Sequence, residues 1–342
     1  MEYINDININ EAVIHVLDNN SDEPVLNEYS LDLTEDRYKF IFKHIEKCLK
    51  DENLKYAVFN DEKSIVKEVC KDYLNGIDHD LINLSKEIAK QLFSIMNGNT
   101  NIPSCDLIVA SIVTDKGPMI AILKLDYVKN FTHNIEFINE KLGIDIVPLS
   151  SGLPGSGQKI NKAAFIKPIR DDHFNLMILD KQIRKNLDDE YIYNYFINNF
   201  LGCNIVENER DMTKSFVNAT EEWIRENFYE EPYKSMKVRN AVKERLREDE
   251  TIDINNFADE VLSPDEAQNY KMFMTQAVPE KITVDTAWAN KKLKRTRLKI
   301  DNSIDIYVDD EEYKDSSKFE VVRNGDGTVN LVIKYITNII EK

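Results

Sequence analysis

A chain of 342 residues suits two or three domains better than one. Apolar residues make up 42% of it and charged residues 31%, a balance that supports packed cores and argues against disorder. A formal net charge of −17 repels phosphate over most of the surface, so any contact with nucleic acid must be local and oriented.

The N-terminus, Met1-Glu2-Tyr3-Ile4-Asn5-Asp6, has neither the basic nor the apolar run of a secretory signal. Residues 12–17 are β-rich and run into Asp18-Asn19-Asn20-Ser21-Asp22, a turn by composition, before Pro24-Val25-Leu26. Thr34 is placed to cap a helix whose Phe40, Ile41, Ile45 and Leu49 fall at helical spacing. Residues 80–96 show the same period in Leu81, Leu84, Ile88, Leu92 and Ile95, and Asn97-Gly98-Asn99 ends it.

From about 105 to 182 the period turns to that of strands, over 107–113, 119–128, 163–169 and 175–179. Asp115-Lys116-Gly117-Pro118 reads as a hairpin turn and Asp171-Asp172-His173 as another. The two most apolar runs, 107–113 and 119–125, are separated by Asp115 and Lys116, and neither reaches the ~20 residues of a membrane helix. No membrane partner is expected.

Residues 188–277 look helical. Residues 191–201 are strongly apolar, 213–228 carry Phe216, Val217 and Trp223, and Pro232 opens a helix running to about Arg247. Ser263-Pro264-Asp265-Glu266 is a helix start, with a cap, a proline in the first turn and acids at the positive end. The last sixty or so residues return to strands. Leu298, Ile300, Ile304, Ile306 and Val308 share one parity, and 319–323 and 328–334 flank the hairpin signal Asn324-Gly325-Asp326-Gly327. The expected class is α+β: an N-terminal mixed helix and antiparallel-sheet domain (1–185), a helical segment (186–278) and a C-terminal antiparallel β segment (279–342).

One segment stands against the acidic background. Residues 291–299 hold Lys291, Lys292, Lys294, Arg295, Arg297 and Lys299, six positive charges, and no acid lies between Asn290 and Ile300. If the parity of Leu298 extends backwards, Arg295, Arg297 and Lys299 form a one-sided row spaced ~6.6–7 Å, close to the phosphate repeat along one nucleic-acid strand. The plainer alternative is an edge strand protected from aggregation by its charges. A second basic stripe, Arg239, Lys243 and Arg247, recurs every four residues on the helix after Pro232, and a solvated helix face is the plainer reading there.

Other chemistry is thin. The four cysteines, Cys48, Cys70, Cys105 and Cys203, are widely spaced and suit buried thiols in a reducing cytoplasm. The five histidines lack metal-ligand spacing, and no serine sits in a Gly-x-Ser-x-Gly elbow. Gly152-Leu153-Pro154-Gly155-Ser156-Gly157-Gln158-Lys159 lacks the Gly-Lys-Ser/Thr of a phosphate loop and is expected to be a mobile loop, with Lys159 and Lys162 able to touch a backbone. The run Asp309-Asp310-Glu311-Glu312-Tyr313-Lys314 resembles the acid-plus-lysine cluster of metal-dependent nucleases, but a solvated acidic turn is the ordinary reading in a chain with 61 acids. No catalytic set, metal or cofactor is expected.

Several segments in order resemble the NdpA-type (YejK-like) nucleoid-associated proteins of bacteria. They are residues 12–17 followed by Pro24-Val25-Leu26, then Leu179-Asp180-Lys181-Gln182, Tyr195-Phe196-Ile197-Asn198-Asn199-Phe200-Leu201-Gly202-Cys203, Leu298-Lys299-Ile300 and the Asn324-Gly325-Asp326-Gly327 hairpin. The resemblance implies a cytoplasmic protein of the nucleoid that binds DNA and is not known as an enzyme. The first expectation is therefore a binder of double-stranded DNA through phosphates, with residues 291–299 as the main contact and Arg239, Lys243 and Arg247 as a second. A homodimer is the default state, since symmetric pairing is common and doubles a modest patch. The alternative is an acidic protein-interaction module or DNA mimic that docks another nucleoid or DNA-processing protein.

Overall fold

A computed structural model describes residues 2–62, 64–99, 101–127, 130–138, 141–149, 153–155, 157–170, 174–181, 195–300, 303–326 and 328–340. The turn expected at Asp171-Asp172-His173 lies outside the described residues, as do Gly152, Ser156, Gln182, Tyr191 and Gly327 of other expected segments. The chain divides into two compact units, Glu2–Val206 and Glu207–Lys342. The class is α+β, with antiparallel sheets in both.

The first unit is built on a seven-stranded sheet. Its strands are β1 (Ile7–Leu17), β2 (Lys55–Phe59), β3 (Cys105–Thr114), β4 (Gly117–Asp126), β7 (Lys162–Ile166), β8 (Leu176–Asp180) and β9 (Cys203–Val206), in the order β1-β3-β4-β7-β8-β2-β9. Every neighbouring pair is antiparallel. The central strands are buried on both faces, which is why residues 119–123 read as one continuous apolar run and not as an alternation. Val109, Ile122, Ala164 and Ile178 share one core with Ile88 and Leu92 of α3 (Leu81–Asn97), Val66 of α2 (Ile65–Leu74) and Phe196 and Phe200 of a π-helix (Tyr195–Leu201). The helix α1 (Glu35–Leu49) buries Ile41, Ile45, Cys48 and Leu49 outside that core.

Local signals place the ends of these elements. Asp80 caps α3 by accepting from Asn83 N–H at 3.0 Å, whereas Thr34 stands at the N-cap of α1 without a side-chain bond. Asp115 and Lys116 form the β3–β4 turn, and Gly117 takes φ +104° just after it. Two further strands, β5 (Asn130–Ile138) and β6 (Lys141–Leu149), pair with each other in a nine-residue ladder and, among the described residues, with no other strand; the strands expected from sequence at 119–128 and 163–169 leave this stretch between them unassigned.

The second unit runs α4 (Glu209–Asn227), α5 (Pro232–Glu248), β10 (Thr251–Asp253), α6 (Ile254–Val261), α7 (Pro264–Met274), β11 (Lys281–Thr283) and α8 (Thr286–Lys292). The hairpin β12 (Arg295–Ile300) and β13 (Ile304–Asp309), the short helix α9 (Asp310–Lys314) and the hairpin β14 (Phe319–Arg323) and β15 (Val329–Ile333) follow. Residues 207–278 and the C-terminal strands thus fall in one compact unit. Its core joins Phe216 and Trp223 of α4, Val238 and Leu246 of α5, Phe257 of α6, Tyr270 of α7 and Ala289 of α8. Trp223 Nε1 donates to Asn269 Oδ1 at 2.6 Å, so the buried indole keeps a partner. Glu266 closes the capping box that starts α7, accepting from the Ser263 N–H at 3.0 Å and its hydroxyl at 2.7 Å.

Candidate nucleic-acid interface

The six cations of residues 291–299 come from three successive pieces of chain. Asp285 caps α8, accepting from Trp288 N–H at 3.0 Å, and α8 carries Lys291 and Lys292 in its last turn, where the helix dipole favours positive charge. Lys294 lies in the connection, and β12 carries Arg295, Arg297 and Lys299. The expected parity holds along the strand: Thr296 is buried, Leu298 and Ile300 are half-buried, and Arg295, Arg297 and Lys299 are exposed. Leu298 pairs with Ile306 and Thr296 with Val308, so the apolar side of the hairpin is shared by both strands.

The back of this hairpin is tied to α5. Lys243 Nζ donates to Thr296 Oγ1 at 2.8 Å and lies 4.7 Å from the Tyr313 ring centroid. Arg247 donates to the Leu293 carbonyl at 3.0 Å and pairs with Asp310. The Asp310 N–H in turn donates to the Lys294 carbonyl at 3.0 Å. Arg239 makes a two-pronged pair with Glu221 of α4, at 2.8 and 2.9 Å. The second stripe expected from sequence is thus one helix face, as the four-residue spacing implied, and its three side chains are bonded within the unit. Burial holds the Lys243 ammonium below its ordinary value, against the opposing field of Asp310.

The front of the hairpin brings acids to the basic row, a pairing that the spacing along residues 290–300 does not show. Arg295 donates to Asp309 at 2.7 Å and Arg297 to Asp305 at 2.9 Å. Arg297 also lies 5.5 Å from the centroid of the Tyr307 ring. The hydrogen bond from Arg297 holds the Asp305 carboxyl below the usual range, and the same bond raises the guanidinium. No acid occurs from Asn290 to Ile300 along the chain; the carboxylates arrive across the ladder, where β13 places Asp309 opposite Arg295 and Asp305 opposite Lys299. The available signal was the period-two spacing Asp305, Tyr307, Asp309. Among the described residues, Lys291, Lys294 and Lys299 form no ion pair.

The acidic run at 309–314 has its own local uses. Asp309 pairs with Arg295, Asp310 is buried against Arg247, and Glu312 pairs with Lys318 at 2.7 Å. Among the described residues no group of three or more His, Cys, Asp or Glu side chains is placed to hold a metal ion. Lys162, considered with the glycine-rich loop, pairs with Asp180 and lies 4.8 Å from the Tyr195 ring centroid. All four cysteines are free and buried, and burial pushes the Cys105 thiol up to about 11 and Cys48 to about 12. Among the described residues no helix is long and apolar enough to cross a membrane.

The front of the β12–β13 hairpin is therefore a cationic row partly held by solvent-exposed carboxylates. An exposed guanidinium held by a carboxylate can pass to a phosphate oxygen without first being desolvated. A family model described as nucleoid-associated protein YejK matches residues 13–341. No curated protein matches the chain.

Proposed function

The chain belongs to the family of nucleoid-associated protein YejK, and from that premise we propose that it binds double-stranded DNA with little sequence preference, through phosphates, as a homodimer on the bacterial nucleoid in the cytoplasm. The observation that carries the reading is the exposed row Arg295, Arg297 and Lys299, continued by Lys291, Lys292 and Lys294, in a chain of net charge −17. A strand presents cations at a regular interval, and phosphate contact fixes position without reading bases. Lys243 and Arg247 support this surface from behind, holding the hairpin at α5, while Arg239 is held by Glu221; all three reach phosphate only if these internal bonds open. No catalytic step is assigned to the chain.

Engaging about five phosphates gives a log–log salt slope of about −4.5. Titration of random duplex from low to moderate salt tests the proposal, and an affinity that does not change with salt overturns it.

The ion pairs Arg295–Asp309 and Arg297–Asp305 favour a second reading. With two cations already answered, the acidic body could instead dock a basic nucleoid or DNA-processing protein, the hairpin only orienting it. Partners that survive nuclease treatment in a pull-down support this reading, and loss of all partners supports the first.

A further inference from the structure

The ribbon of β5 and β6 has two unlike faces. Phe131, Ile135 and Phe137 alternate along β5, and the ladder sets Ile146, Ile144 and Leu142 of β6 on the same side. These six side chains are between 53% and 78% exposed. His133 and Pro148 complete that face, which carries no Asp, Glu, Lys or Arg. The other side includes Thr132, Asn134, Glu136, Lys141, Gly143, Asp145 and Val147. Among the described residues the ribbon pairs with no other strand, and a two-stranded ribbon is at best marginally stable in water without something packed on its apolar side.

We propose that this face is the homodimer interface: the ribbon of a second copy packs on it, face to face, about a two-fold axis. The inference rests on the dimeric state in the proposed function and adds where the two copies meet. Three features select a second copy. A chain of net charge −17 repels its own copy wherever the contact is acidic, and this surface is free of acids. It is equally free of the cations that phosphate needs and of the acids that a basic partner needs. Side chains of this size at this exposure present on the order of 800 Å², close to the share each partner gives to a standard stable interface.

The geometry is self-complementary. Two-fold symmetry brings the same patch from both copies together, and Ile135 and Ile144, opposite each other at mid-ladder, lie nearest the axis. Stacked ribbons form a two-layer sandwich about 10 Å between sheets, each polar side facing solvent.

Sedimentation equilibrium of the full chain without DNA tests this. The wild type is expected near twice the 39.8 kDa chain mass. The variant carrying Phe137→Lys and Ile144→Lys is expected at the monomer mass with an unchanged circular dichroism spectrum, since both side chains are exposed. Asn134→Lys, on the polar side, stays dimeric. Ile144→Cys is expected to form a disulfide-linked dimer on mild oxidation, because the four native cysteines are buried. A monomeric wild type overturns both the interface and the dimeric state. A charged double variant that stays dimeric, or an Ile144→Cys chain that does not cross-link, overturns this interface and leaves the dimer of the proposed function in place. The readout contains no DNA, so it is independent of the basic hairpin.

Discussion

Lys243 reaches from α5 to Thr296, its Nζ donating to the threonine Oγ1 at 2.8 Å, directly behind the strand whose front carries Arg295 and Arg297. The contact links a helix stripe to a strand row that sequence spacing presents as two separate basic patches. It makes Lys243 a support of the surface. Lys243→Met removes a hydrogen bond from a charged donor, which costs about 1.5–3 kcal/mol. A lower melting temperature is expected, with the salt slope of DNA binding unchanged. A slope shallower by about one, at unchanged melting temperature, is instead the signature of a phosphate contact.

Asp305 and Asp309 hold Arg297 and Arg295, so under the proposed function their carboxylates would compete with phosphate for the two guanidinium groups. Replacing both with asparagine is expected to tighten binding to random duplex at low salt and to steepen the salt dependence. The change is read by fluorescence anisotropy at several salt concentrations. Unchanged affinity places the guanidinium row away from the DNA.

The strand row was legible because a period of two puts alternate residues on one face, and Thr296, Leu298 and Ile300 turn inward as that parity requires. Asp305 and Asp309 show along the chain only as a period-two spacing; which cations they meet is decided by register across the hairpin, which local spacing does not carry. The stripe of Arg239, Lys243 and Arg247 was visible as a helix face, yet its neighbours, Glu221, Thr296 and Asp310, come from three distant elements. The start of α7 was readable in full, since a capping box is a local device. The β5–β6 ribbon carries an alternation of its own, but pattern alone does not say that no other strand pairs with it.

The N-terminal unit holds a buried histidine whose protonation state its bonds dictate. His15 Nδ1 accepts from the Asn27 N–H at 3.0 Å, which leaves Nε2 to donate to Ser85 Oγ at 2.9 Å, and the Ser85 hydroxyl donates to the Ile82 carbonyl at 2.8 Å. Burial first, and then the field of Lys86, lower its pKa from 6.5 to about 4. The unfolded chain therefore takes up a proton at higher pH than the folded one. The contribution is complete above about pH 6.5 and is lost as pH falls toward 4. Burial lowers His44 too, in the same direction. The urea midpoint is expected to fall between pH 7 and pH 4.5, and to fall less in His15→Gln. An equal fall in both proteins contradicts the assignment.

Gly202 follows the π-helix with φ +64°, and a Cβ there meets the Ser64 Cβ at 3.1 Å. Ser64 is already engaged, donating to the Leu201 carbonyl at 3.0 Å. Gly202→Ala is expected to cost roughly 1–2 kcal/mol from the left-handed backbone alone, with more from the crowded serine. A thermal melt reads it, and a melting temperature equal to wild type contradicts the strained geometry.

The central claim is that DNA is held by the cations of residues 291–299. The most direct measurement compares salt titrations of random-duplex binding by the wild type and by a chain with Lys291, Lys292, Lys294, Arg295, Arg297 and Lys299 all changed to glutamine. For the wild type a slope of about −4.5 is expected. For the variant, with its melting temperature retained, loss of binding at moderate salt and a nearly flat residual slope are expected. Wild-type affinity and slope in the folded variant would contradict the claim.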